Sequence, residues 1–320
     1  MPQPERKLIE RIQRLTSRRA PGFIIRGIGD DCAILRVATG HHLLITTDLS
    51  IEGVHFRRKW HPAESVGHRC LARGLSDIAA MGGEPLACFL SLGLPASLNQ
   101  AWVEGFVRGF ERLAQRFRVA LAGGDTSAAL RITADIVVAG QIPAGQAVLR
   151  SGARPGDRIY VTGDLGASAA ALKRLFTGQR VKPATAPSHF YPEPRLAVGH
   201  WLRKRKMATS MIDLSDGLSV DLRHICDESR VTASLRARAI PVARNATLDL
   251  ALHGGEDYEL LFTARPRAVV PARIAGVKVT EIGGIHARKD YPAAIRLLDE
   301  NGKARTLEPQ GWEHFRERIR

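Results

Sequence analysis

Five short acidic stretches, set among glycine, serine and threonine, constrain this chain more than any other feature. They are Gly29-Asp30-Asp31, Thr46-Thr47-Asp48, Gly123-Gly124-Asp125-Thr126, Asp213-Leu214-Ser215-Asp216-Gly217 and Gly254-Gly255-Glu256-Asp257. A strand running straight into such a loop recurs in both halves: His42–Thr47 ends on Asp48, Val119–Ala122 on Gly123, and Ser210–Asp213 on the Ser215 loop. Each stretch is either a separate turn or cap, or the fold gathers the carboxylates. Two like charges about 4 Å apart repel by roughly 4 kcal/mol at an effective dielectric of 20. Gathering four or more would cancel a typical domain's stability of about 5–15 kcal/mol. A gathered set therefore requires divalent cations. Mg²⁺ takes oxygen ligands and binds through a few carboxylates together with substrate phosphates, which makes phosphoryl transfer the expected chemistry.

The periodicity predicts alternating strands and helices. Pro62–Met81 reads as a helix with Val66, Cys70, Leu71, Leu75 and Ile78 on one face and Gly82-Gly83 as its stop. Asn99 is placed to cap a second helix that carries Trp102, Phe106, Phe110, Leu113 and Phe117. Ile132–Ala139 and Arg158–Thr162 read as strands, and Gly166–Phe176 and Gly217–Glu228 as helices. Leu8, Ile9, Ile12 and Leu15 fall on one face of a short N-terminal helix. The Pro- and Gly-bearing segment Gln141–Gly156 is the candidate linker. The class is α+β in two domains, 1–143 and 144–320.

The composition narrows the function. No apolar run approaches the roughly 20 residues of a membrane span, and Met1–Arg19 lacks the apolar region of a secretory signal. Cys32, Cys70, Cys88 and Cys226 are scattered without a CxxC pair, which points to reduced thiols in a cytoplasmic protein rather than zinc or disulfides. The formal charge is +15, yet only Arg203-Lys204-Arg205-Lys206 and Arg316–Arg320 are dense, and neither is interleaved with stacking aromatics. Steering of small polyanions accounts for the charge better than nucleic acid does, and neither a nucleic-acid nor a membrane partner is expected.

Taken singly, the acidic residues are ambiguous. Asp77 falls in the last turn of its predicted helix, where the macrodipole disfavours an anion by up to about 1 kcal/mol; it is either a surface residue or sits under a cation. Gly123-Gly124-Asp125-Thr126 reads as a nest of backbone amides after a strand, or as an ordinary turn. Of Asp213 and Asp216, one could be a helix cap, but not both.

Together, the motifs resemble one family. Gly27-Ile-Gly-Asp-Asp-Cys-Ala33, Thr46-Thr-Asp48 with Gly53-Val-His-Phe56, Leu75-Ser-Asp-Ile-Ala-Ala-Met-Gly82, Ala122-Gly-Gly-Asp-Thr126, Ile212-Asp-Leu-Ser-Asp-Gly-Leu218 and Gly254-Gly-Glu-Asp-Tyr-Glu-Leu260 are similar to those of thiamine-monophosphate kinases, in the same order across nearly the whole chain. The resemblance implies a PurM-like fold of the aminoimidazole-ribonucleotide-synthetase superfamily, with an N-terminal ferredoxin-like dimerising domain that binds ATP and Mg²⁺ and a C-terminal α/β domain. It implies a homodimer, ATP as co-substrate, thiamine phosphate as acceptor and several Mg²⁺ ions. The metal ligands implied are Asp31, Thr46, Thr47, Asp48, Asp77, Asp125, Asp213 and Asp216. Gly124, Asp125, Arg150 and Ser215 would contact ATP. His55, Glu256 and Trp312 would contact thiamine phosphate, and Asp30 matches its motif without an evident role.

The acceptor's second phosphate pKa is near 6, so at neutral pH it is largely deprotonated. No general base or covalent nucleophile is then expected, and His55 reads as a contact or as a structural loop residue. Selenophosphate and aminoimidazole-ribonucleotide synthetases are the rivals within the superfamily. No glycine-rich segment with a reactive cysteine precedes Cys32, and the Gly254 and His55 motifs favour thiamine phosphate. A nucleotide sensor or nucleic-acid binder that kept the fold without turnover is the rival of another class, and the intact acidic set argues against it.

Overall fold

The computed structural model describes residues 24–26, 33–36, 39–288 and 295–311. The expected N-terminal helix, Asp30, Asp31, Cys32, Trp312 and the C-terminal basic run lie outside those residues.

The first half contains β1 (Ile24–Arg26), β2 (Ala33–Arg36), β3 (His41–Ile51), α1 (Ala63–Ala80), β4 (Glu84–Leu94), α2 (Gln100–Phe117), β5 (Ala120–Ala128) and β6 (Thr133–Pro143). Its strands form one sheet in the order β1-β2-β3-β6-β4-β5. Only β4 and β5 run parallel, joined through α2, as a parallel pair needs a crossover. The second half contains β7 (Arg158–Thr162), α3 (Ala167–Phe176), the single turn α4 (Pro187–Phe190), α5 (Leu196–Lys204), β8 (Ser210–Asp213), α6 (Leu218–Ser229), β9 (Val231–Arg236), α7 (Leu248–His253), β10 (Leu260–Ala264), β11 (Arg273–Ile274), β12 (Val277–Ala287), β13 (Ile295–Leu298) and β14 (Ala304–Leu307). Its sheet runs β14-β13-β9-β12-β7-β10-β8, with β11 paired onto β12. Among the described residues, no helix is long and apolar enough to cross a membrane.

The element that organises the molecule is α1. Its predicted apolar face is buried throughout: Cys70, Leu71, Leu75 and Ile78 are fully covered. On one side it meets α2 so closely that a Cβ on Gly67 would come 1.9 Å from the Phe106 carbonyl oxygen, and one on Gly109 would come 1.9 Å from that of Glu64. Glycine is therefore required at both positions, since backbone cannot yield as a flexible side chain can. On the other side it meets α5, where a Cβ on Gly199 would lie 2.0 Å from the Ala79 carbonyl oxygen. Arg203, part of the dense basic run, is 7% exposed, and its Nε donates to the Gly82 carbonyl at 2.7 Å. A cation there complements the C-terminal end of the α1 dipole. Asn99 caps α2 as expected, accepting from the Ala101 amide at 2.8 Å.

Two expectations need correction. β3 does not end on Asp48. It continues to Ile51, and Asp48 pairs in register with Ile136, because β6 offers partners along the whole run. Gly123-Gly124-Asp125-Thr126 is not a nest after a short strand but part of β5, with Gly124 opposite Leu90 and Asp125 opposite Ser91. The glycine serves a close approach: at φ 153°, a Cβ on Gly124 would sit 1.8 Å from the Leu90 carbonyl oxygen. Cys70, Cys88 and Cys226 are buried free thiols.

Candidate active site

A polar stripe at i, i+4, i+7 and i+8 runs along α1 and contacts three of the acidic motifs. Arg69 donates to Glu256 Oε1 at 2.6 Å. Arg73 donates to Asp48 Oδ1 at 3.2 Å. Ser76 donates to Asp213 Oδ2 at 2.6 Å, and Asp77 accepts from the Thr46 hydroxyl. Residues far apart in sequence are thus drawn to one helix face, with Thr46, Asp48 and Asp77 from the first half and Asp213 and Glu256 from the second. A small concavity at this place is lined by Ser50, His55, Phe56, Val66, Arg69 and Arg73.

The two motif loops of the second half are zipped together. Leu214 N–H donates to the Glu259 carbonyl at 2.8 Å, Glu256 N–H to the Ser215 carbonyl at 2.8 Å, and Tyr258 N–H to the Leu214 carbonyl at 2.9 Å. The pairing leaves no room beside Gly255, whose Cβ would lie 2.6 Å from the Ser215 carbonyl oxygen. The segment ending at Gly311 lies over the same loop: a Cβ there would come 2.2 Å from the Asp216 carbonyl oxygen. Trp312 follows directly but is outside the described residues.

Thr47 and Asp125 are placed elsewhere. Thr47 is exposed on the face of the sheet turned away from α1, and its hydroxyl donates to Asp135 Oδ1 at 3.0 Å. Asp125 is in register with Ser91, and Ser91 with Asp135, so these three share that outer face. The described ligands predicted in the first half therefore divide between the two faces of its sheet. Asp135 was missed in the sequence because a single acid in an alternating strand looks like a solvent-facing residue.

Asp221 and His224 were also missed. The ligand atoms of Asp216, Asp221 and His224 all lie within 4.8 Å of one another. Asp221 is 1% exposed, and its Oδ2 accepts from the amides of Asp216 at 3.2 Å and Gly217 at 3.0 Å. It thus takes the capping role expected of Asp213 or Asp216, reaching back from inside α6. Burial, then the charges of Asp216 and Asp213, push its carboxyl well above the usual range, with Arg150 opposing. This couples Arg150 to the acidic loop. Such a surplus of negative charge on hard oxygen donors suits divalent cations, and Asp48, Asp77, Asp213 and Asp216 with the Thr46 hydroxyl fit Mg²⁺ in donor chemistry.

The Gly254 motif also does structural work. Burial would raise the Glu256 carboxyl, but the charge and hydrogen bond of Arg69 hold it down at about 2. Asp257 accepts from the Gly166 amide at 2.7 Å, serving as a remote cap for α3. Burial, opposed by its bonds to backbone amides, pushes Asp257 up to about 7.

The His55 loop is tied to the second half by Trp60, whose ring meets Phe176 edge-on at 4.9 Å, and by a buried histidine pair. His61 Nε2 and His189 Nε2 are 3.1 Å apart, and His189 Nδ1 is 3.0 Å from the Ser168 hydroxyl. The contact needs at least one neutral ring, one nitrogen donating and the other accepting. Burial first, then Arg69, lowers His61 to about 4 and His189 to about 3. Above the unfolded value of 6.5 both states are neutral and the pair leaves stability independent of pH. Below it, the unfolded chain binds protons that the native one refuses, so stability falls between pH 6.5 and about 4. At about 1.4 kcal/mol per unit the loss is roughly 3 kcal/mol per histidine by pH 4. Denaturant titrations at pH 7, 5.5 and 4.5 check this: the His61→Phe/His189→Phe variant should lose less stability on acidification than the parent.

Comparison with known proteins gives the class first. Residues 29–142 match the model of the AIR synthase related protein N-terminal domain, and residues 154–293 that of the C-terminal domain. Thiamine-monophosphate kinases from Escherichia coli O157:H7 and from Buchnera aphidicola of Acyrthosiphon pisum are 38% and 37% identical over 90% and 91% of this chain and 91% and 93% of theirs. A solved structure described as AaThiL complexed with AMPPCP and TMP aligns at TM-score 0.85 and 31% identity, covering 98% of this chain and 97% of that one. The thiamine-monophosphate kinase from Stenotrophomonas maltophilia aligns at TM-score 0.74 and 34% identity, covering 93% and 96%. Hydrogenase maturation protein HypE, 18% identical at TM-score 0.73, shares the fold alone. The chain belongs to the thiamine-monophosphate kinase family of AIR synthase related proteins.

Proposed function

We propose that this chain transfers the γ-phosphoryl group of ATP to the phosphate of thiamine phosphate, giving thiamine diphosphate. The relatives named for that substrate and the complex with AMPPCP and TMP support the substrate pair. The observation that carries the reading is the α1 stripe, from which Arg69, Arg73, Ser76 and Asp77 together touch three of the acidic motifs, one from the first half of the chain and two from the second.

The chemistry asks little covalent work of the protein, so positioning and charge neutralisation supply the rate. Mg²⁺, when bound, would offset the repulsion between the two phosphorylated substrates. Thr46, Asp48, Asp77, Asp213 and Asp216 would hold it around the stripe, Thr47 and Asp125 on the opposite sheet face, with Asp31 completing the set. Gly124, Asp125, Arg150 and Ser215 would hold ATP; His55, Glu256 and Trp312 would hold thiamine phosphate. The acceptor phosphate is already largely deprotonated, so transfer is direct and in line, with no phosphoenzyme.

The active form is a homodimer in the cytoplasm, and the chain divides between residues 143 and 144. Leu49 and Phe89, on the sheet face turned from α1, remain 43% and 42% exposed. A second copy seated there would cover them and bring Thr47, Asp125 and Asp135 to the interface. The deciding experiment mixes pure protein with thiamine phosphate, ATP and Mg²⁺ and follows thiamine diphosphate, with selenide and aminoimidazole precursors as controls. Formation from thiamine phosphate alone is expected; turnover of a control instead would overturn the assignment.

A further inference from the structure

We propose that Arg69 is the positioning residue that sets the thiamine phosphate subsite, holding His55 and Glu256 at a fixed separation although they come from opposite halves of the chain. The inference rests on the kinase reading above. Arg69 stands on α1, which packs closely against both α2 and α5, and is 5% exposed. One guanidinium meets three separate segments. Its Nη2 donates to Glu256 Oε1 at 2.6 Å and to the His55 carbonyl at 3.4 Å. Its Nη1 donates to the carbonyl of His189 at the end of α4.

Of the three, the two predicted substrate contacts, His55 and Glu256, are held on their other sides as well. The His55 ring is fixed by its own loop, Nδ1 accepting from the Ile51 amide at 3.0 Å, so Nε2 carries the proton of the neutral ring. Glu256 sits at φ 65° and Tyr258 at φ 51°, left-handed conformations that cost non-glycine residues of order 1–3 kcal/mol each. The zipper to Ser215 and Leu214 holds this turn, and the turn directs the Glu256 carboxylate to Arg69. Strain kept at a predicted substrate contact, and met by a buried fork of matching charge, is an arrangement for precision. Lysine could not reproduce it, because an ammonium lacks the planar fork that serves several acceptors in fixed directions.

The test is steady-state kinetics of Arg69→Lys with each substrate varied separately, alongside Glu256→Gln, the double variant and melting curves. The expected result is a thiamine phosphate KM raised about 10–100-fold, the range by which loss of an orienting partner weakens a metal site. The ATP KM and kcat should stay within about twofold. The double variant should be no worse than the poorer single variant, as for residues acting through one contact. An unchanged thiamine phosphate KM, or both KM values rising together with a lowered melting temperature, overturns the proposal in favour of a purely structural bridge. A parent protein that makes no thiamine diphosphate overturns the kinase reading, and this inference falls with it.

Discussion

Asp125→Asn should lower thiamine diphosphate formation by about 10³-fold, the upper end for loss of one group preorganised to stabilise transition-state charge, and leave the melting curve where it was. Asp125 is exposed on β5, and its Oδ1 accepts from the adjacent Thr126 amide at 2.8 Å. Asparagine can accept the same bond, so the substitution removes a charge and little else. Rates at saturating Mg²⁺ and a thermal melt of the same sample read the two effects separately. Retained turnover would take Asp125 out of the metal set and leave the outer sheet face without a catalytic purpose.

Arg195→Met should produce the opposite pattern, a large loss of stability. Glu259 is 5% exposed. It accepts from Arg195 Nε at 2.7 Å and from its Nη2, and from the Thr162 hydroxyl at 2.5 Å. Removing the arginine strands a carboxylate between β7 and β10. Breaking one side of such a buried pair costs about 3–5 kcal/mol, which corresponds to a melting temperature lower by about 10 °C. Arg195→Met/Glu259→Met should regain most of that, because apolar replacement of both partners is often nearly neutral. A loss below about 1 kcal/mol in the single variant would mean that solvent already screens the pair.

Of these two sites, the sequence singled out Asp125 but gave no sign of the Arg195–Glu259 pair. The period of 3.6 placed α1 and α2 within a residue or two, since Phe106, Phe110 and Leu113 must face one core. The acidic motifs announced themselves by their neighbours, and the zipped Asp213 and Gly254 loops lie together. What stayed hidden came from partners distant in the chain. Nothing local distinguishes Arg69 or Arg73 from any helical arginine, or Asp221 from an acid in a first turn. His61 and His189 are 128 positions apart, and their pairing exists only once both halves are folded. Strand ends were misread for the same reason: how far β3 and β5 extend is set by the length of β6 and β4, not by their own residues.

One apolar cluster includes Leu71, Leu75 and Ile78 of α1 together with Leu202, Met211, Leu260 and Phe262 of the second half. The division proposed between residues 143 and 144 therefore does not separate this cluster into two. A fragment cut there would expose the flank of α1 to water, although the second half keeps a further cluster of its own that includes Ile159, Leu222 and Leu261. The whole protein should melt in a single step, since unfolding either half strips cover from the core of the other.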